Sequence, residues 1–140
     1  MKTENKVVVN PKLTPKITYN TPLTLKDKTL WQVICGDGAN WRAGLYSPDI
    51  ASVKEIKKLE KHSCPEFFML VSGKISLLIE SDIKPEAGIK VIELEAFKPI
   101  LVNTWHNGFC PDGPYTGSAL VVELGEFTTE YKYLTGPLFI

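Results

Sequence analysis

The sequence predicts an all-β chain, one antiparallel sheet closed as a barrel or folded over itself as a sandwich. Three observations carry that expectation. Short runs of apolar, β-branched and aromatic residues recur along the chain, as in WQVIC, FFML, KVIEL and ALVVE. Gly, Pro, Asp and Asn gather between the runs, where turns need them. Only one stretch, SPDIASVKEIKKL, spaces its apolar residues as a helix would. A sheet of this kind holds ligands in the mouth of the barrel.

The elements follow in order. Residues 1–28 carry Pro11, Pro15 and Pro22 among β-branched residues, which predicts an extended arm of edge-strand character packed on the barrel or on a partner. Residues 29–140 form the barrel. Two strands flank the turn Gly36-Asp37-Gly38, and the second alternates, with Trp41, Ala43 and Leu45 on one face and Arg42, Gly44 and Tyr46 on the other. Ile50, Val53, Ile56 and Leu59 then recur every three residues, behind Ser47-Pro48-Asp49 as a start, and predict a short helix or helical turn. EFFMLVSGKISLLIE reads as two strands meeting at Ser72-Gly73, IKPEAG as a turn, and IKVIELEAF and PILVNTWHNGF as one strand each. CPDGPYTG is a loop by composition, and SALVVELGEF and TEYKYL complete the sheet.

Composition narrows the function. At 140 residues the chain fits one domain able to bury a real core. Sixteen basic residues balance sixteen acidic ones, so no global field draws the protein to nucleic acid or anionic lipid. The local run Lys54, Lys57, Lys58 and Lys61 is interleaved with Glu55 and Glu60, as on a solvated face. No apolar run approaches the ~18 residues of a membrane span, and MKTENKVVVNPK lacks a secretory core. Cys35, Cys64 and Cys110 are an odd set without CxxC spacing, which argues against a disulfide framework or a zinc finger. Cytoplasmic localisation is the expectation.

The chemistry concentrates in KKLEKHSCPEFFMLVSG, residues 57–73. His62 stands four residues before Glu66, which opens an apolar run closed by Gly73; the second histidine, His106, ends LVNTWH. The first stretch resembles the first signature of the cupin superfamily: His-x-His, three or four residues, Glu, six residues, Gly. The second resembles the later signature, in which one more histidine follows a Pro-x-Gly turn after two residues. The resemblance covers roughly residues 40–125 and departs from the pattern in three places: Glu60 stands for the first histidine, Leu101 for the proline and Asn103 for the glycine. Asparagine is the non-glycine residue best tolerated at positive φ, so the last exchange is mild.

That resemblance implies a small single-domain cupin barrel, a double-stranded β-helix of the jelly-roll kind, with His62, Glu66, His106 and Glu60 as metal ligands. Glu60 is also the candidate catalytic base. In a strand, Glu60 and His62 would share a face; were the preceding helix to run through Lys61, they would point apart and only His62, Glu66 and His106 would converge. Two imidazoles with one or two carboxylates suit Fe, Mn, Ni or Zn as divalent ions. Plainer roles, partly buried histidines with hydrogen-bond partners, are open to the same residues.

Around these, Trp41 and Trp105 are platforms for a sugar or planar substrate, and Arg42 is a clamp for a carboxylate or phosphate. Tyr46 shares the Arg42 face. Phe109, Asp112 and Tyr115 are loop candidates for the barrel mouth, and Cys64 and Cys110 are expected to be structural. The apolar ends KVVV and GPLFI, with exposed strand edges, predict a homodimer. Two functions follow. One is a metal-dependent enzyme acting on a small sugar or carboxylic or keto acid by isomerase, lyase or oxygenase chemistry; the other is a non-catalytic barrel that binds or senses such a molecule without metal.

Overall fold

Period-two alternation at Trp41–Tyr46, Glu66–Ser72 and Ser118–Glu123 puts one face of each strand into a shared interior. The structure is a computed structural model that describes residues 3–10, 15–80 and 88–138. Its strands are β1 (Thr3–Asn10), β2 (Trp31–Asp37), β3 (Trp41–Tyr46), β4 (Lys58–His62), β5 (Glu66–Ser72) and β6 (Ser76–Glu80), then β7 (Ile89–Glu93), β8 (Ile100–Val102), β9 (Trp105–Phe109), β10 (Ser118–Glu123) and β11 (Phe127–Leu134). They form two antiparallel sheets, in the orders β1-β11-β4-β9-β6-β7 and β2-β3-β10-β5-β8, packed face to face as a jelly-roll-like sandwich. The all-β expectation holds. The turn read at IKPEAG falls, Gly88 apart, outside the described residues.

Phe68, Leu70, Leu77, Val102 and Val121 fill the space between the sheets, each contributing ~1.5–3 kcal/mol by leaving water. A second cluster lies on the outer face of the six-stranded sheet: Ile56, Leu59, Leu78, Trp105 and Leu138 are buried there, with Ile50 and Val53 packed against them. The helix-like spacing of Ile50, Val53, Ile56 and Leu59 thus covers a sheet. Of the helix itself, only a single 3-10 turn forms, Val53–Glu55, and Leu59 already belongs to β4.

Two connections differ from the linear reading. β5 and β6 do not pair with each other; the chain crosses between the sheets after Ser72. Gly73 makes the crossing at φ 64°, and a side chain there would run into the backbone of Thr116 and Gly117. PILVNTWHNGF is likewise two strands, β8 and β9, in opposite sheets. The turn between them needs no positive φ at Asn103, so the glycine of the cupin pattern is not required here. The outer face of the five-stranded sheet is exposed and apolar, with Trp41, Val71 and Leu101 among its open side chains.

Leu77 has no exposed surface and stands at the centre of the intersheet core. Leu77→Ala should therefore lower stability by ~2–5 kcal/mol, through lost transfer energy and the cavity left behind. Urea denaturation followed by tryptophan fluorescence measures it; a change below ~1 kcal/mol would contradict this packing.

Candidate metal centre

β4 is a strand, not the end of a helix, so Glu60 and His62 face the interior together. Strand pairing then fixes their neighbours. Glu60 lies opposite His106 of β9 and opposite Tyr131 of β11. His62 lies opposite Thr129. After His62 the chain turns through Ser63-Cys64-Pro65, and Glu66 opens β5 on the facing sheet. One donor atom from each of Glu60, His62, Glu66 and His106 lies within 4.8 Å of all the others.

The histidines are held from behind. His106 Nδ1 sits 2.8 Å from the Thr104 carbonyl oxygen, which can only accept, so Nδ1 carries the proton and the lone pair of neutral His106 is on Nε2. His62 Nδ1 meets the Thr129 hydroxyl at 2.7 Å. Both Nε2 atoms therefore point at carboxylates. His106 Nε2 is 3.2 Å from Glu66 Oε1 and 3.8 Å from Glu60 Oε1, and His62 Nε2 is 3.6 Å from Glu60 Oε1 and in direct contact with Glu66 Oε1. Neither Glu66 Oε1 nor His106 Nε2 makes a hydrogen bond, although both are buried.

Two lone pairs brought together out of water repel each other, unless a proton or a cation stands between them. Donor atoms bonded at ~2.1 Å to one ion lie ~3–4 Å from one another; three of the carboxylate–imidazole distances, 3.2, 3.6 and 3.8 Å, fall there, while His62 and Glu66 stand closer. The residues therefore fit a divalent metal. Thr129 and the Thr104 carbonyl hold the two imidazoles from behind, as outer partners would orient them toward an ion.

Local charge follows from burial and contact. Burial, the largest influence, pushes the His62 imidazole below its ordinary 6.5, while the bond to Glu60 opposes it. Burial also pushes the Glu60 carboxyl up, but His62, His106 and Lys58 together outweigh it and hold it below 4.5. Burial drives the Tyr46 phenol far above its ordinary range, with the charge of Glu60 adding to the effect. Tyr46 stays protonated and can donate a hydrogen bond.

The four clustered side chains open into a cavity of about 510 Å³ that Arg42, Tyr46, Trp31, Glu123, Phe127 and Tyr131 also line, a size suited to a small molecule. Arg42 and Tyr46 are thus beside the cluster. Trp41 and Trp105 are not: Trp41 is on the outer face of β3, and Trp105, one residue from His106, packs outward with Leu59 and Leu78. The aromatic platforms are instead Trp31 and Phe127. Phe127 touches both His62 and Arg42. Alternation from Trp31 across the Gly36-Asp37-Gly38 turn gives little warning of this, because a register irregularity between Val33 and Cys35 interrupts it. Phe109 also faces the outer cluster, and neither Asp112 nor Tyr115 lines the cavity. Cys64 and Cys110 are buried free thiols, and burial pushes the Cys64 thiol up, against a nucleophilic role.

No family model and no curated protein matches the sequence. Among solved structures, hydroxypropylphosphonic acid epoxidase from S. wedmorenis, in complex with fosfomycin, is similar at 16% identity and a TM-score of 0.45. The match covers 61% of this chain and 43% of that one. No helix among the described residues is long and apolar enough to cross a membrane.

The depressed His62 value has a consequence for stability. Below 6.5 the unfolded chain takes up a proton that folded His62 resists, so stability is kept above that pH and declines as pH falls through it. Glu60 adds to the loss further down, as pH falls through and below 4.5. Denaturant titrations of metal-free protein at pH ~7.5 and ~5.5 should show the lower stability at the lower pH. His62→Asn should flatten the slope; an unchanged slope would contradict the assignment.

Proposed function

We propose that this chain is a small metal-dependent cupin enzyme of the cytoplasm, acting on a small oxygenated substrate by isomerase, lyase or oxygenase chemistry. The observation that carries the proposal is the meeting of the His106 Nε2 lone pair with Glu66 Oε1, buried and without a hydrogen bond on either atom. His62, Glu66 and His106 are the most buried members of the cluster and hold the ion. Glu60 is its more open carboxylate, with about a third of its side chain exposed, and serves as fourth ligand or as base. The cupin-like spacing of the two motifs supports the reading, and the three unpaired thiols support a reducing compartment.

A divalent ion bound here, Fe, Mn, Ni or Zn, would supply Lewis-acid polarisation of a substrate oxygen. The chain's own residues do the rest. Glu60 is ionised at neutral pH and stands within the cavity, so it can take the proton from a carbon beside the substrate carbonyl. The electron pair then rests on the carbonyl oxygen, toward which Tyr46 can donate its hydroxyl. Returning the proton to the same or the neighbouring carbon completes exchange or isomerisation.

Loss of solvent-exchangeable carbon-bound hydrogen from sugars and α-keto acids in D₂O tests this by NMR. Metal-loaded wild type should exchange it; Glu60→Gln should keep its metal and slow exchange by ~10²–10⁴-fold. His62→Ala/His106→Ala should lose both metal and exchange. Equal exchange by Glu60→Gln would remove the proposed base, and a wild type that retains no metal would favour a plain binding barrel.

We further propose a homodimer, with a second copy of this chain covering the outer face of the five-stranded sheet. Trp41, Val71 and Leu101 are exposed there at 44%, 45% and 71%. Five strands ~4.8 Å apart present a face some 20 Å wide, about half of the ~800 Å² that each partner gives to a standard interface. Val71→Lys/Leu101→Glu should sediment as a monomer where wild type sediments as a dimer; a monomeric wild type at micromolar concentration would contradict the pairing.

A further inference from the structure

Among the described residues, Arg42 is a buried cation lining the same cavity as the cluster. It comes from the inner face of β3 and is only 5% exposed. Its Nε and its flat face have partners in the structure. Its Nε donates to Glu123 Oε1 at 2.8 Å, across the β3–β10 pairing. Its carbon lies 4.9 Å from the Phe127 ring centre and 5.6 Å from that of Trp31. Rings attract the cation but accept no conventional hydrogen bond. Gly44 makes the second contact possible, because a side chain there would occupy the space of the Trp31 ring. Nη1 is buried and without a hydrogen-bond partner.

A buried charged donor without an acceptor is unfavourable, and here the position is over-determined by an ion pair, two rings and the sheet. Such a guanidinium is rigid before any ligand arrives. The cavity it borders is where its missing acceptor would come from. Phe127 touches both Arg42 and His62, and the guanidinium and the histidine–carboxylate cluster line the same cavity.

Building on the proposed metal-dependent function, we propose that Arg42 is the specificity-determining residue for the substrate, binding its carboxylate through Nη1, and that the substrate is therefore a small α-keto or α-hydroxy monocarboxylic acid and not a neutral sugar. Charge sets the upper limit. Asp49, Glu55, Glu60, Glu66 and Glu123 line the cavity, balanced by Arg42, Lys57, Lys58 and one divalent ion. A dianionic phosphate ester would add a second uncompensated negative charge near five carboxylates, whereas a monocarboxylate adds one and gains a charge-assisted bond.

Binding calorimetry tests the assignment with pyruvate, lactate, α-ketobutyrate and phenylpyruvate, each against its neutral amide, and with inorganic phosphate. Both metal-free and Mn(II)-loaded protein are titrated. Arg42→Gln alone strands Glu123, so the neutral pair Arg42→Gln/Glu123→Gln accompanies it, with Arg42→Lys as the charge-preserving variant. Wild type should bind at least one acid more tightly than its amide. The paired variant should weaken that acid ~10–100-fold at unchanged Mn(II) content and melting temperature, leaving the amide unaffected. Arg42→Lys should recover part of the loss.

Acid binding that depends on Arg42 in the metal-free arm as well would uphold the anchor even if the metal reading failed. Metal binding with no acid preference would uphold the metal reading and overturn the anchor. Equal loss of acid and amide, tighter binding of phosphate, or no binding of any acid would each overturn it.

Discussion

Four ionisable side chains meet in the interior of a two-sheet sandwich, and the rest of the molecule answers to that meeting. Carboxylates and imidazoles out of water are unfavourable unless each lone pair finds a cation or a donor. Glu66 Oε1 and His106 Nε2 lack one, since His106 has spent its proton on the Thr104 carbonyl. A positive charge among them would relieve both atoms. A divalent metal supplies that charge at the distances the residues already keep.

The fold delivers these groups from both sheets. Glu60 and His62 share one strand, His106 stands directly opposite Glu60 on the next, and Glu66 reaches in from the facing sheet. Holding them apart from bulk water requires the packing around them. Phe68 and Phe127 lie edge-on to the two imidazoles, and Leu59 and Trp105 anchor the same strands from the outside. The strands of His62 and His106 are thus packed on both faces, which limits how far those imidazoles can move. Binding of metal should therefore stabilise the fold as well as complete the site.

Much of this was legible in the sequence where local rules govern. The alternation at Trp41–Tyr46 correctly put Arg42 and Tyr46 on one face, and the spacing of His62, Glu66 and His106 marked residues that the structure brings together. What local rules could not decide was which sheet a strand joins. Ser72-Gly73 and Val102-Asn103 both read as breaks or continuations of one ladder, yet both are crossings between sheets. The helical spacing of Ile50 to Leu59 was a true apolar pattern with a different cause, burial against a sheet. Trp31, Glu123 and Phe127 were missed because their partner Arg42 is distant in sequence. Glu123 alternates correctly with Val121, and a lone acid on the inner face of a predicted strand was the available signal.

The central claim is that Glu60, His62, Glu66 and His106 bind one divalent transition metal. Calorimetric titration of the untagged, metal-free protein with Mn(II), Ni(II), Zn(II) and anaerobic Fe(II) tests it most directly. The account predicts saturable binding of one ion per chain for at least one of them, a raised melting temperature, and loss of both in His62→Ala/His106→Ala. Absence of saturable binding for all four ions, or binding that survives in the double variant, would contradict it.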